Sequence, residues 1–186
     1  MIEYKTYIAN KIWLTSKVRM VAESKRRTMN TILWILGFYY SIASLSVHLF
    51  RVFHGSYSSE VGAFFSMIGL FAPYISLGLG LIKSSDEYRK CYLNLQKLLD
   101  NPSPSISKKY SDILDDSPNH NSYDYIDFVV KHAWIEMKTL TDGTSKNVEA
   151  TTMMIVTWGF RRFFLWFFIV LFFSPPLVYW WFCFFY

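Results

Sequence analysis

With 186 residues, 52% of them hydrophobic and 20% aromatic, and a mean hydropathy of +0.18, the chain is more apolar than an ordinary water-soluble domain of its length. Its formal net charge of +5 does not form a nucleic-acid-binding stripe, because the charges are segregated: residues 31–50, 61–82 and 163–186 contain no Asp, Glu, Lys or Arg. Each stretch reaches about 30 Å as a helix, the thickness of a bilayer hydrocarbon core, and a soluble protein of this size could not enclose three such helices on every side.

Residues 2–30 carry a helical pattern, with Tyr4, Ile8, Ile12 and Val18 interleaved with Lys5, Lys11, Lys17 and Glu23 and no Gly or Pro to break it. This helix is expected to run straight into a first span over 31–50. That span should be retained, since a long mixed-charge stretch precedes it where a cleaved leader would be short and basic. His54, Gly55, Ser56, Tyr57, Ser58 and Ser59 read as a short turn, so the spans over 31–50 and 61–82 form an antiparallel hairpin. Beyond Ile82 the helical signal continues, with Tyr88, Tyr92, Leu95 and Leu99 opposite Asp86, Arg89, Lys90 and Lys97, and the second span is expected to project unbroken as a stalk. Asn101, Pro102, Ser103, Pro104 and Ser105 should end it, with a polar stretch to Ser122. A further helix over 125–137 has Tyr125, Ile126, Val129, Val130, Ala133, Trp134 and Met137 on one apolar face, for packing on the stalk and the N-terminal helix or for a partner. Asp142 and Gly143 mark a turn. From about Asn147 a last helix is expected to pass through a Met-rich stretch into a third span over 163–186.

Basic residues fix the orientation. Lys17, Arg19, Lys25, Arg26 and Arg27 precede the first span, Lys83, Arg89 and Lys90 follow the second, and Arg161 and Arg162 precede the third. The positive-inside rule then predicts a cytoplasmic N-terminus and a cytoplasmic region over 83–162, with the hairpin turn and the C-terminus outside. Cys91 and Cys183 fall on opposite sides of the bilayer and are not expected to pair. The predicted fold class is all-α: one membrane domain over 1–186, a helical bundle with three transmembrane helices and cytoplasmic helical extensions.

Small and polar residues lie in stripes within the hairpin. Gly37, Ser41, Ser44 and His48 share one face of the first span; Gly62, Ser66, Gly69, Pro73, Ser76 and Gly80 share one face of the second. Small residues let helix backbones approach in lipid and hydroxyls bond between helices, so these residues are expected to line a bundle interior or a pore. His48 is the ionisable side chain of the first two spans, a candidate for the path or a residue that snorkels to the interface. The third span is Phe, Trp, Leu and Val around its circumference and is expected on the lipid-facing outside, with Tyr179, Trp180 and Trp181 in an aromatic belt and Pro175 and Pro176 bending or locally unwinding it.

The sequence has no HExxH, GxSxG, phosphate-binding glycine loop or paired CxxC, and Gly78 with Gly80 lacks the third glycine of a dinucleotide motif. His120, Asp124 and Asp127, with Asn119, are the one catalytic candidate. Residues 119–122 read instead as the lead-in to a helix, where polar side chains cap free amides. His132 and Glu136 are expected to be an exposed pair one turn apart. The reading is therefore a non-enzyme with no cofactor and no metal.

Residues 13–27, WLTSKVRMVAESKRR, followed by the hairpin and by SSDEYRKCYLNLQKLL over 84–99, resemble the SLATT family of bacterial two-span membrane domains from conflict and antiphage systems. NHNSYDY over 119–125 and the basic-then-apolar C-terminal segment resemble the branch with an additional span, often encoded beside a reverse transcriptase. The resemblance implies an oligomeric effector of the bacterial inner membrane, opened by a partner that senses infection, so that leakage stops growth in abortive infection. Partners expected on that basis are the bilayer, further copies of the chain and a reverse transcriptase or nucleotide-signalling protein, without sequence-specific nucleic-acid binding. Tyr125, Val129, Val130 and Trp134 are the expected contact for the partner or trigger. A membrane scaffold that recruits a partner without forming a pore is the alternative, and a membrane-bound nuclease or hydrolase at His120 and Asp124 is the third.

Overall fold

Backbone polar groups in hydrocarbon must be satisfied within their own segment, so helix is the form open to the charge-free stretches. The computed structural model, which describes residues 2–54, 59–102, 105–141 and 147–185, with side chains over 6–49, 60–102, 105–141 and 147–183, is 86% helical and has no strand among those residues. In chain order α1 is Ile2–His54, α2 Ser59–Gly78, α3 Leu81–Asp100, α4 Ile106–Asp115, α5 Ser122–Val129, continued by a π-helical turn Val130–Ile135, and α6 Thr152–Phe185. Among the described residues, three helical stretches are long and apolar enough to cross a membrane, within Thr6–Leu49, Glu60–Asp100 and Thr152–Cys183. The turns expected at Gly55 to Ser58, Ser103 with Pro104, and Asp142 with Gly143 lie outside the described residues.

The chain divides into two compact units. Met1–Arg26 and Lys83–Arg161 form a charged unit; Arg27–Ile82 and Arg162–Tyr186 form an apolar one.

In the charged unit, Ile8 and Ile12 of α1 pack with Cys91, Leu95 and Leu98 of α3, and Ile106, Tyr110 and Ile113 of α4 close over them. Helix α4 stands where a polar stretch was expected. Its Ile106, Tyr110 and Ile113 recur at four and three residues and so make one face. The buried face of α3 includes Tyr88 and Leu95 as expected but continues through Cys91 and Leu98, with Tyr92 and Leu99 half-buried. A second cluster joins Val18 to Phe128, Val129 and Leu140, with Trp13, Leu14, Val21 and Met154 around it. Helix α6 starts at Thr152, later than expected, after an extended stretch in which Asn147 bridges Thr141. The Thr151 hydroxyl accepts from the Met154 amide at 3.3 Å, capping the new helix.

The expected unbroken stalk is interrupted. Leu79 and Gly80 form a turn between α2 and α3, and Gly80 has φ +57°, a conformation that glycine adopts without the clash a Cβ would bring. Helical periodicity resumes on both sides, which hid the break.

In the apolar unit, Leu33, Leu36, Tyr40, Ala43 and Val47 of α1 pack on Phe65 and Ala72 of α2, and α6 docks on them through Phe173, Tyr179 and Trp180. The apolar window of α6 is only 6% buried, so most of its surface faces outward. Tyr179 and Trp180 are half-buried packing residues, and of the three expected belt aromatics Trp181 alone is largely exposed.

Pro175 and Pro176 do not unwind α6, which is helical through both. A proline removes the amide that would bond the carbonyl four residues earlier. The Phe172 carbonyl, orphaned by Pro176, accepts from the Tyr40 hydroxyl at 2.9 Å, and the Leu171 carbonyl, orphaned by Pro175, accepts from the Ser174 hydroxyl at 3.2 Å. Tyr39 donates to the next carbonyl, Phe173, at 3.0 Å. Tyr40→Phe should therefore cost about 1 kcal/mol of stability in detergent, and less in a Pro176→Ala background that returns the amide. A double-mutant cycle read by thermal unfolding checks this; equal penalties in both backgrounds would remove the explanation.

Candidate functional site

The two stripes expected inside the hairpin face one another. Gly37 and Gly69 are buried at the closest approach of α1 and α2, where a Cβ on Gly37 would stand 2.7 Å from the Pro73 ring and 2.9 Å from the Gly69 carbonyl oxygen. Two turns on along α1, the Ser44 hydroxyl donates to the Gly62 carbonyl at 2.9 Å and pairs with the Ser66 hydroxyl at 2.6 Å. At the other end the Ser76 hydroxyl donates to the side-chain oxygen of Asn30. In lipid such bonds add to close packing where no hydrophobic force drives helices together.

Ser41 and His48 lie at the edge of this seam. Ser41 is exposed, its hydroxyl donating to the Gly37 carbonyl at 2.9 Å, and the Ser41 oxygen would stand 2.8 Å from a Cβ on Gly69. His48 is also exposed, with its Nε2 3.1 Å from the Cβ position of Gly62. Gly80 does not belong to the seam: it forms the α2–α3 turn, and beyond its chain neighbours no described atom lies within 4 Å of its Cβ position.

In the charged unit the residues expected to contact a partner differ in depth. Val129 and Val130 are fully buried, Val129 in a core with Val18 of α1, and neither presents a surface. Tyr125 is half-buried, whereas Trp134 is 50% exposed. Trp134 borders a cleft of about 390 Å³ lined also by Ala133, Lys138, Leu140, Val148 and Ala150. The π-helical turn places it there, and Met137, with φ +51°, ends that turn as the Lys138 amide bonds back to the His132 carbonyl at 3.0 Å.

Of the catalytic candidates, Asp124 holds the start of α5 and Asp127 pairs with cations of α1 and α6. Asn121 accepts the Tyr123 amide at 3.3 Å, and Asp124 accepts the Asn121 amide at 3.1 Å, a reciprocal cap. Lys25 of α1 reaches Asp124 at 2.6 Å and Asp127 at 2.7 Å; Arg161 of α6 reaches Asp127 at 3.3 Å. His120 precedes the helix, so it does not share a helical face with Asp124, and the Tyr88 hydroxyl bonds the adjacent Asn119 carbonyl at 2.7 Å. Burial, followed by the nearby Arg19 charge, pushes the His120 pKa below its ordinary value against the pull of Asp124. The imidazole is therefore neutral near pH 7, and its Nδ1 is buried with no partner among the described residues. His132 lies 3.4 Å from Glu136 but is half-buried, stacked on Phe128. Glu136 is held below the usual carboxylate range, first by its hydrogen bond from Lys138.

Arg19, counted among the topological charges, is 1% exposed and donates to the Cys91 sulfur at 2.8 Å. Charge counting cannot separate a core guanidinium from a lipid-facing one. Its position seven residues after buried Ile12 and three before buried Ala22, on one helical face, was the available signal.

The family model described as SMODS and SLOG-associating 2TM effector domain family 5, or SLATT_5, matches residues 1–182. The chain belongs to this family. SLATT_5 domains are membrane effectors of conflict systems rather than a known catalytic family, and the matched span takes in most of α6 along with the hairpin. No curated protein and no solved structure matches the chain. With three helices apolar and long enough to span, this SLATT_5 chain is a membrane protein.

Proposed function

We propose that this SLATT_5 protein is the effector of a bacterial antiphage system, lying in the inner membrane with its N-terminus and charged unit in the cytoplasm. Copies of it assemble, and a partner's signal converts them into a leaking or conducting assembly that halts growth before the virus matures. The observation that carries this reading is the seam, a line of glycines and hydroxyls within an otherwise apolar hairpin, open at one edge through Ser41 and His48.

Within one chain the seam is closed at Gly37, where Pro73 fills the space beside it. A path needs α1 and α2 to part, or a ring of copies that turns the Ser41 and His48 edge toward an axis. Leakage should follow when the purified protein, in vesicles of phosphatidylethanolamine and phosphatidylglycerol, meets the products of its neighbouring genes. Failure to release dye or pass current under any such condition would overturn the proposal.

The scaffold alternative has its own support in Trp134, exposed beside its cleft. Bulky replacements at Ser44, Ser66 or Ser76 do not separate the two readings, since each would disturb packing under either. His48→Ala does: it sits at the exposed edge and should alter leakage if the edge lines the path, and leave a scaffold unaffected.

A further inference from the structure

Asp127 of α5 joins two helices through separate oxygens. Its Oδ2 lies 2.7 Å from Lys25 Nζ on α1 and its Oδ1 3.3 Å from Arg161 Nη1 on α6. Lys25 also pairs with Asp124 at 2.6 Å, and the Arg161 guanidinium stacks over the Tyr123 ring at 4.4 Å from its centre. The side chain of Asp127 is 17% exposed, those of Lys25 and Arg161 33% and 35%, so the group is sheltered yet reachable by water.

Its place along the chain gives the cluster meaning. Lys25 belongs to the last charged group of α1 before the charge-free run that begins at Thr28, and Arg161 to the last of α6 before the run that begins at Phe163. A single short helix, capped at its own start by Asn121 and Asp124, thus grips both chain segments just before they become apolar. An isolated exposed ion pair does little, but a partly sheltered carboxylate shared by two cations links the positions of both.

We propose that α5 is a charge latch: Asp127, bridging Lys25 and Arg161, holds α1 and α6 together in the resting protein, and its release frees them to move. The biological consequence rests on the effector reading above, whereas the latch itself does not. A bistable tie of this kind is a local electrostatic change with a remote readout. Capture of Lys25 or Arg161 by a partner's carboxylates in place of Asp127, or a shift of α5, would open it.

The test uses the full chain in the same vesicles. Asp127→Asn keeps the shape, the cap and the Lys25–Asp124 pair while removing the shared charge. Amide hydrogen exchange over 152–161 should become on the order of tenfold faster than in the wild type. Arg161→Gln should act alike, the double variant should add little to either, and Lys108→Gln, on exposed α4, should change nothing. Unchanged exchange in Asp127→Asn overturns the latch, whatever the membrane does. If exchange rises, dye release without any partner is the expected second result. A quiet Asp127→Asn beside a wild type that leaks when triggered overturns the regulatory role and spares the effector reading. A wild type that never leaks sinks the effector reading, and exchange alone then decides the latch.

Discussion

Gly37→Leu should abolish the native hairpin. The Cβ alone would meet the Pro73 ring at 2.7 Å and the Gly69 carbonyl oxygen at 2.9 Å. Neither can step aside, because the ring is rigid and the carbonyl belongs to backbone. Overpacking a deformable core costs about 1–3 kcal/mol, and this site should reach or exceed the upper figure. Separation of α1 and α2 would also strip the Ser44–Ser66 and Ser44–Gly62 bonds, leaving hydroxyls and carbonyls unpaired in hydrocarbon. The expected outcome in detergent is a broad, aggregated elution profile without a cooperative melt. Gly78→Ala is the control: beyond its chain neighbours and its own helix backbone no described atom lies within 4 Å of that Cβ position, so this variant should melt close to the wild-type temperature. A well-behaved Gly37→Leu protein would mean that the two stripes do not meet as described.

The contrast between these glycines shows which parts of the fold the sequence made legible. Gly37 and Gly69 were readable because lipid gives small residues in a stripe one main use, close helix contact. The spans were readable for a similar reason: charge is so costly in hydrocarbon that its absence is a strong signal. Gly80 carried the same spacing and has a different role, since a left-handed turn depends on backbone angle and leaves no mark on periodicity. Helix α4 was hidden by the prolines before it, although Ile106, Tyr110 and Ile113 carry a helical spacing. The pairings that decide the candidate site are long-range ones, such as Tyr40 with Phe172 or Lys25 with Asp127, and one sequence contains no information on which distant groups meet. Trp134 and Val129 shared one apolar face on paper; the structure separated them by depth.

That separation sets up the second large effect. Val129→Asp would place a carboxylate at a position with 0% exposure, against Val18, Phe128 and Leu140, in a core with no cation placed to receive it among the neighbours that define the cluster. Burial of an unpaired charge costs more than about 3 kcal/mol, so the charged unit should lose its cooperative melt and its resistance to protease. Loss of activity in Val129→Asp would thus report unfolding and could not be taken as evidence for a partner contact. Trp134→Ala isolates the contact: a half-exposed side chain at the rim of a cleft should cost about 1 kcal/mol or less, leaving the melt nearly intact. A folded Trp134→Ala protein that no longer responds to its trigger would place recognition at the end of the π-helical turn. A folded, fully responsive one would remove Trp134 from consideration and move the search for the trigger site to the exposed surfaces of α3 and α4.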